Sequence, residues 1–137
     1  MKKTLLIICI LIFNYGCSSS DDDPTSENSI NPPSWIQGTW HDSDEDGIGG
    51  FKFTKDNFCQ ISGFSTISQE ICYKELLEMS QGKTEEEATN DFYDIKIILS
   101  TGFTNQTFFH QFEKISNNEI KWYLSKKDDL YTIYTKQ

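Results

Sequence analysis

Residues 34–137 predict a mainly β fold, an antiparallel up-and-down meander with one inserted helix. Three observations carry that expectation. Apolar residues recur with a period of two in short runs, aromatic side chains are dense, and turn-forming residues punctuate the runs at close intervals. Only over residues 68–81 does the period change, placing Ile71, Cys72, Leu76 and Met79 at helical spacing. Ser68 is a suitable cap for that helix and Gly82 a suitable stop.

The elements follow in order. Residues 35–41 read as the first strand, then residues 42–50 as an acidic, glycine-rich turn. Residues 51–55 form the second strand, Lys55-Asp56-Asn57 a tight turn, and residues 58–62 the third, with 64–67 as a short continuation. After the helix, residues 83–90 read as a charged loop around Glu85-Glu86-Glu87. Residues 92–100 alternate cleanly, with Tyr93, Ile95, Ile97 and Leu99 on one face. Residues 106–115 place Phe108, His110 and Phe112 together, and residues 119–124 do the same for Ile120, Trp122 and Leu124. Residues 130–135 close the chain after a turn at 125–129. Rolling such a meander into a barrel removes exposed strand edges.

The first strand carries Trp35-Ile36-Gln37-Gly38-Thr39-Trp40. Gly38 and Trp40 resemble the Gly-x-Trp motif that opens lipocalin-like domains. The resemblance implies a small barrel in which the glycine lets the first strand bend across the floor and the tryptophan plugs the closed end. That family packs an arginine from a late strand over the tryptophan. This chain has no arginine, so Lys126, Lys127 or Lys136 has to substitute. A barrel of about eight strands is either filled by its own side chains or holds one small ligand. Phe53, Phe108, His110, Phe112 and Trp122 are the candidate cavity lining. The same aromatic residues suit a solid core.

The N-terminus decides where the domain resides. Lys2 and Lys3 precede an apolar run at residues 5–13, too short to span a bilayer as a helix. This is the pattern of a secretory signal. Gly16 directly before Cys17 makes residues 1–16 resemble a bacterial lipoprotein signal peptide, with Asn14 where Leu or Val is usual. The resemblance implies that Cys17 becomes the lipidated N-terminal residue. Ser18-Ser19-Ser20-Asp21-Asp22-Asp23 resembles the export signal of surface lipoproteins of Bacteroidota, and residues 34–137 are similar to their small lipocalin-like domains. That implies an outer-membrane, surface-exposed protein held to the membrane by acyl chains. Residues 17–33, polar apart from Ile30, read as the lipidated cysteine and a flexible linker.

Cys59 and Cys72 remain in the domain, and an even count in an exported chain points to a disulfide, two buried thiols being the alternative. Asp42, Asp44 and Asp46 ahead of Gly47 match the first half of a calcium loop. Its twelfth position is Phe53, so the second half fails to match, and an acidic hairpin turn is the competing reading. Calcium is the only cofactor the chain suggests.

Nothing in the residue pattern indicates catalysis. His41 and His110 are far apart and lack a partnering motif. The formal charge of −9, two units more negative once Lys2 and Lys3 leave with the signal, offers no basic patch for nucleic acid. Two non-enzymatic functions are expected: a lipid-anchored binding module for a small apolar ligand, or a protein-interaction module of immunity or inhibitor type whose acidic face meets a basic partner.

Overall fold

The computed structural model describes residues 29–43, 49–64, 67–124 and 130–137. Nine antiparallel strands form one curled half-barrel meander of the lipocalin-like kind, with one short helix among the described residues. The strands are β1 (Gly38–Asp42), β2 (Gly50–Phe53), β3 (Phe58–Phe64), β4 (Ile67–Cys72), β5 (Lys83–Ala88), β6 (Phe92–Ser100), β7 (Asn105–Lys114), β8 (Glu119–Tyr123) and β9 (Tyr131–Lys136), with α1 (Tyr73–Ser80) between β4 and β5. Their spatial order is β4-β3-β2-β1-β9-β8-β7-β6-β5. The first and last strands therefore pair at the centre, through Trp40 opposite Lys136 and Asp42 opposite Tyr134. The two outer strands are those that flank the helix.

The alternation over Phe92–Ser100 sets the inner face as expected, with Tyr93, Ile95, Ile97 and Leu99 all buried. Across the ladder, Tyr93 faces Phe112 and Phe112 faces Trp122, so three aromatic rings cross β6, β7 and β8 in one row. Ile120 joins that face, whereas Leu124 is exposed just past the end of β8.

Several boundaries differ from expectation, beginning with the first strand, which starts at Gly38 rather than at residue 35, since residues 34–36 form a turn. The helix starts at Tyr73, because residues 67–72 pair with β3, Ile71 opposite Gln60 and Cys72 opposite Cys59. Its buried face is Tyr73 and Leu77, one turn apart, while Met79 points into solvent. Cys72 takes the N-cap position in place of Ser68. At the other end Gln81 adopts the left-handed conformation (φ 51°), and the Gly82 N–H also returns to the Leu77 carbonyl at 3.1 Å. A side chain at Gly82 would meet the Ile98 carbonyl oxygen at 2.4 Å, so the glycine is what lets the helix end press onto β6.

Residues 83–88 are a strand rather than a loop. β5 lacks an apolar face, and its partners hold it in place. Lys96 pairs with Glu85 at 2.9 Å, and the Tyr93 hydroxyl donates to Glu86. A charged outer strand resists pairing with another chain.

The segment before Ser34 also belongs to the folded body. Ile30 is 1 % exposed and sits in the core cluster. Its neighbours lie along β5: the Asn31 N–H donates to the Glu86 carboxylate at 3.0 Å, and Thr84 Oγ1 donates to the Ser29 carbonyl at 2.6 Å. Of the expected linker, residues 29–33 thus belong to the folded body, tied to the Thr84 and Glu86 side chains of β5.

Candidate functional site

The two ends of the half-barrel are built differently. In an up-and-down meander alternate turns share an end. Residues 54–57, 89–91 and 115–118 lie at one end, and the strand ends Asp42, Gly50, Phe64, Ile67, Ser100, Asn105, Tyr123 and Tyr131 at the other.

At the first end Trp40 is fully buried, and its Nε1 donates to the Ile36 carbonyl at 2.6 Å. Trp35 Nε1 reaches the Thr89 carbonyl at 2.9 Å, so Trp35 ties the N-terminal turn to the β5–β6 connection. Lys136 lies over Trp40 with Nζ 5.0 Å from the ring centroid, within cation–π range. Of the three lysines proposed for that place, Lys126 and Lys127 lie outside the described residues and Lys136 occupies it. Gly38 has φ +132°, a value L side chains rarely adopt, and this conformation turns β1 under the lysine.

In the interior the candidate lining residues meet one another. Phe51 is the hub, its ring centroid 4.9 Å from Tyr134, 5.1 Å from Phe112, 5.3 Å from Trp122 and 6.0 Å from His110. Phe53 stacks on Phe58 at 5.0 Å, and Phe58 on Tyr73 at 5.1 Å. Phe53, His110 and Phe112 are buried, with Phe108 and Trp122 packed against them. These rings fill the middle of the half-barrel with one another.

His110 is the polar exception in that cluster. Its ring stacks near Trp122 (6.2 Å), and its Nε2 is 3.5 Å from the Tyr73 hydroxyl, at the outer limit of a hydrogen bond. Nδ1 has no hydrogen-bond partner among the described residues. Burial in this apolar setting pushes its pKa down from 6.5 to about 4, so the ring is neutral at physiological pH. Burial raises the Tyr73 hydroxyl, and for Tyr93 burial is joined by the charge of Glu86 in raising the phenol further. Neither phenol ionises near neutrality.

The open space lies at the second end. A cleft of about 270 Å³ is lined by Phe51, Trp122 and Tyr134, by Gln60, and by backbone at Gly49, Gly50 and Gly63, with Asp42 at its rim. The indole Nε1 of Trp122 is buried and has no hydrogen-bond partner among the described residues. Sequence reasoning selected Trp122 and missed Gln60 and the glycines, which carry no apolar signal. A second cleft of about 210 Å³, on the face of β5 and β6, is lined by Glu85, Glu86, Glu87, Asp94, Lys96 and Phe109.

The cysteines lie directly opposite each other in the β3–β4 ladder and form a disulfide, joining positions 13 residues apart. Among the described residues, the group with metal-ligand spacing is Cys59, Glu70 and Cys72, and its two sulfurs are joined to each other. Of the proposed calcium ligands, Asp42 is the last residue of β1, its N–H bonded to the Gly49 carbonyl at 3.1 Å. Asp44 and Asp46 lie outside the described residues, as does Cys17.

No family model matches the sequence, and no curated protein or solved structure is significantly similar to it.

Proposed function

We propose that the chain is a cell-envelope lipoprotein, anchored in the outer membrane through Cys17 and exposed at the surface, whose lipocalin-like domain is a non-enzymatic binding module. The observation that supports binding is the asymmetry of the two ends. One is shut by Trp40 beneath Lys136, and the other carries a cleft walled by Phe51, Trp122 and Tyr134. Since rings occupy the middle, the ligand of this reading is small and sits in the mouth of the half-barrel, between the edges of those rings and the polar groups of Gln60, Ser62 and the glycine backbone. Native mass spectrometry of the protein purified from cells tests it, with a retained small molecule expected. Radiolabelled palmitate tests the anchor, and incorporation that survives Cys17→Ser would remove it.

A second reading is favoured by the same filled interior. A domain without a deep cup can act through its surface, and β5 presents Glu85 and Glu87 beside Asp94 and Lys96 along an acidic cleft. In that reading the domain docks a basic protein. Recovery of a stoichiometric basic partner from envelope extracts, lost with Glu85→Lys and Glu87→Lys together, would replace the first reading with the second.

A further inference from the structure

We propose that the rim of the open end is a membrane-docking surface. It seats Phe103, Leu124, Leu130 and Tyr131 at the head groups of the bilayer and turns the mouth of the half-barrel toward the lipid. The inference rests on the Cys17 anchor of the reading above and adds the domain's orientation to it.

Two independent features carry it. The first is where the exposed apolar side chains lie. Phe103 is 100 % exposed in the β6–β7 turn, Leu124 60 % just past β8, and Leu130 66 % and Tyr131 49 % where β9 begins. All four belong to the open end. The Leu124 N–H donates to the Leu130 carbonyl at 3.4 Å, so these two residues sit side by side. The turn that carries Phe103 leads into β7, the strand next to β8. Ile67, 75 % exposed, opens β4 on the other flank of the mouth. At the closed end Ile115 is the exposed large apolar residue among those described, while residues 54–57, 89–91 and 116–118 are polar. An apolar rim at one end, set against a polar far end, marks an interaction site.

The second feature is the course of the chain into the domain, and it identifies what the rim meets. β5 runs from Lys83 toward the open end to Ala88 at the closed end. The N-terminal segment follows it in the same direction. The Ser29 carbonyl accepts from Thr84 at 2.6 Å, the Asn31 N–H donates to Glu86 at 3.0 Å, and Trp35 Nε1 donates to the Thr89 carbonyl at 2.9 Å. Traced backwards, the chain therefore reaches Ser29 on the side of the open end. Residues 17–28 complete the connection to Cys17 and span at most about 40 Å when fully extended.

Tether and rim thus share one end of the domain. A bilayer within reach of the tether is met at high effective concentration, so a modest apolar contact is enough to seat the domain. Tyr131 suits head-group depth, with an apolar ring and a polar hydroxyl. The formal charge of −9 disfavours anionic lipid, so the contact is apolar in origin and a zwitterionic bilayer is the matching surface.

The test places the full chain, purified from cell membranes, in phosphatidylcholine nanodiscs that contain a lipid with a nitroxide on its head group. Amide signals are read by ¹⁵N-correlated NMR. The ten residues of β7 put roughly 30 Å between the two ends, enough for the probe to tell them apart. The signals of Phe103, Leu124 and Leu130 should be lost, and those of Asp56, Asn90 and Asn117 kept. Phe103→Ser combined with Leu130→Ser, both at exposed positions, should restore the first set while the chain stays on the disc. Equal loss at the two ends, loss at neither, greater loss at the closed end, or a rim loss that survives the double variant overturns the inference and leaves the anchor standing. Rim signals that keep their intensity but shift as more chains are loaded per disc overturn it in favour of a second copy of the chain as the occupant. A chain that elutes apart from the discs removes the anchor reading and the inference together. The contrast between the two ends of the natural chain decides the matter even if the double variant is less stable.

Discussion

Lys136 holds its ammonium 5.0 Å from the centroid of the Trp40 ring, and the same side chain occupies the space a Cβ on Gly38 would enter, with Cε only 2.6 Å away. One contact thus joins the first strand, the last strand and the glycine that bends between them. Lysine is a point charge where the resembled family uses a planar guanidinium, so the stacking is weaker.

Three substitutions measure that contact by chemical denaturation. Lys136→Met keeps the apolar stem and removes the charge, and should cost about 1 kcal/mol. Gly38→Ala places a side chain at φ +132° and should cost about 1–3 kcal/mol. Because the alanine also pushes the lysine off the ring, the double variant should lose about 0.5–1 kcal/mol less than the two single losses combined. Strict additivity would mean that Gly38 and Lys136 do not share a contact. Lys136→Arg should be at least as stable as the natural chain.

The disulfide makes a second prediction. Cys59 and Cys72 tie the end of β4, an outer strand with a mostly exposed surface, to β3 at the N-cap of the helix. Replacing both by alanine should cost about 3 kcal/mol in the chain-entropy picture. Reductant should lower the melting temperature of the natural chain and leave that of the double variant unchanged. A natural chain whose melting is insensitive to reductant would show that the bond adds nothing.

Ile30 supplies a third. It is the one large apolar side chain in an otherwise polar segment, and it is buried to 1 % exposure. Ile30→Ala should cost about 2–4 kcal/mol, the range for truncating a core residue. A chain beginning at Ser34 should lose at least as much, since it also gives up the Asn31–Glu86 and Ser29–Thr84 hydrogen bonds to β5. Equal stability of chains starting at Ser29 and Ser34 would return this segment to the linker.

The contrast between Ile30 and β6 shows what a sequence can carry. Phe92–Ser100 alternates because one face meets the core and the other does not, and the ladder reproduces those limits residue for residue. β5 escaped because its order comes from Glu85–Lys96 and Glu86–Tyr93 contacts, which leave no periodicity behind. The helix began five residues late because Ile71 and Cys72 fit a helical stripe by spacing, while the ladder opposite Gln60 and Cys59 claims them. The candidate lining residues came together, yet whether rings meet each other or a guest depends on volume, which spacing does not encode. The mouth cleft was invisible for a related reason: glycines, Gln60 and Trp122 gather there only through long-range pairing.

His110 gives the last prediction, and the sign follows from its surroundings. The ring is buried among Phe51, Phe58, Phe112 and Trp122, and desolvation holds its pKa down at about 4 against 6.5 in the open chain. As pH falls below about 6.5 the unfolded chain takes up this proton and the folded chain does not, so folding stability declines. The full contribution is present above 6.5, is lost progressively between about 6.5 and 4, and changes little below that. Its size is up to about 3 kcal/mol. Asp56 and Glu85 act lower. Their hydrogen bonds to Lys74 and Lys96 hold them below the usual carboxylate values, so they stabilise above about pH 4.5 and lose that effect only in stronger acid. The interval from 6.5 to 4.5 therefore separates the histidine from them. His110→Phe removes the titrating group, and with it an Nδ1 that has no partner among the described residues, while keeping a flat ring of similar size, and should flatten stability across that interval with little loss at pH 7. Denaturation midpoints measured at half-unit steps decide it: an unchanged slope in His110→Phe would mean that the buried imidazole is not what makes the fold acid-sensitive.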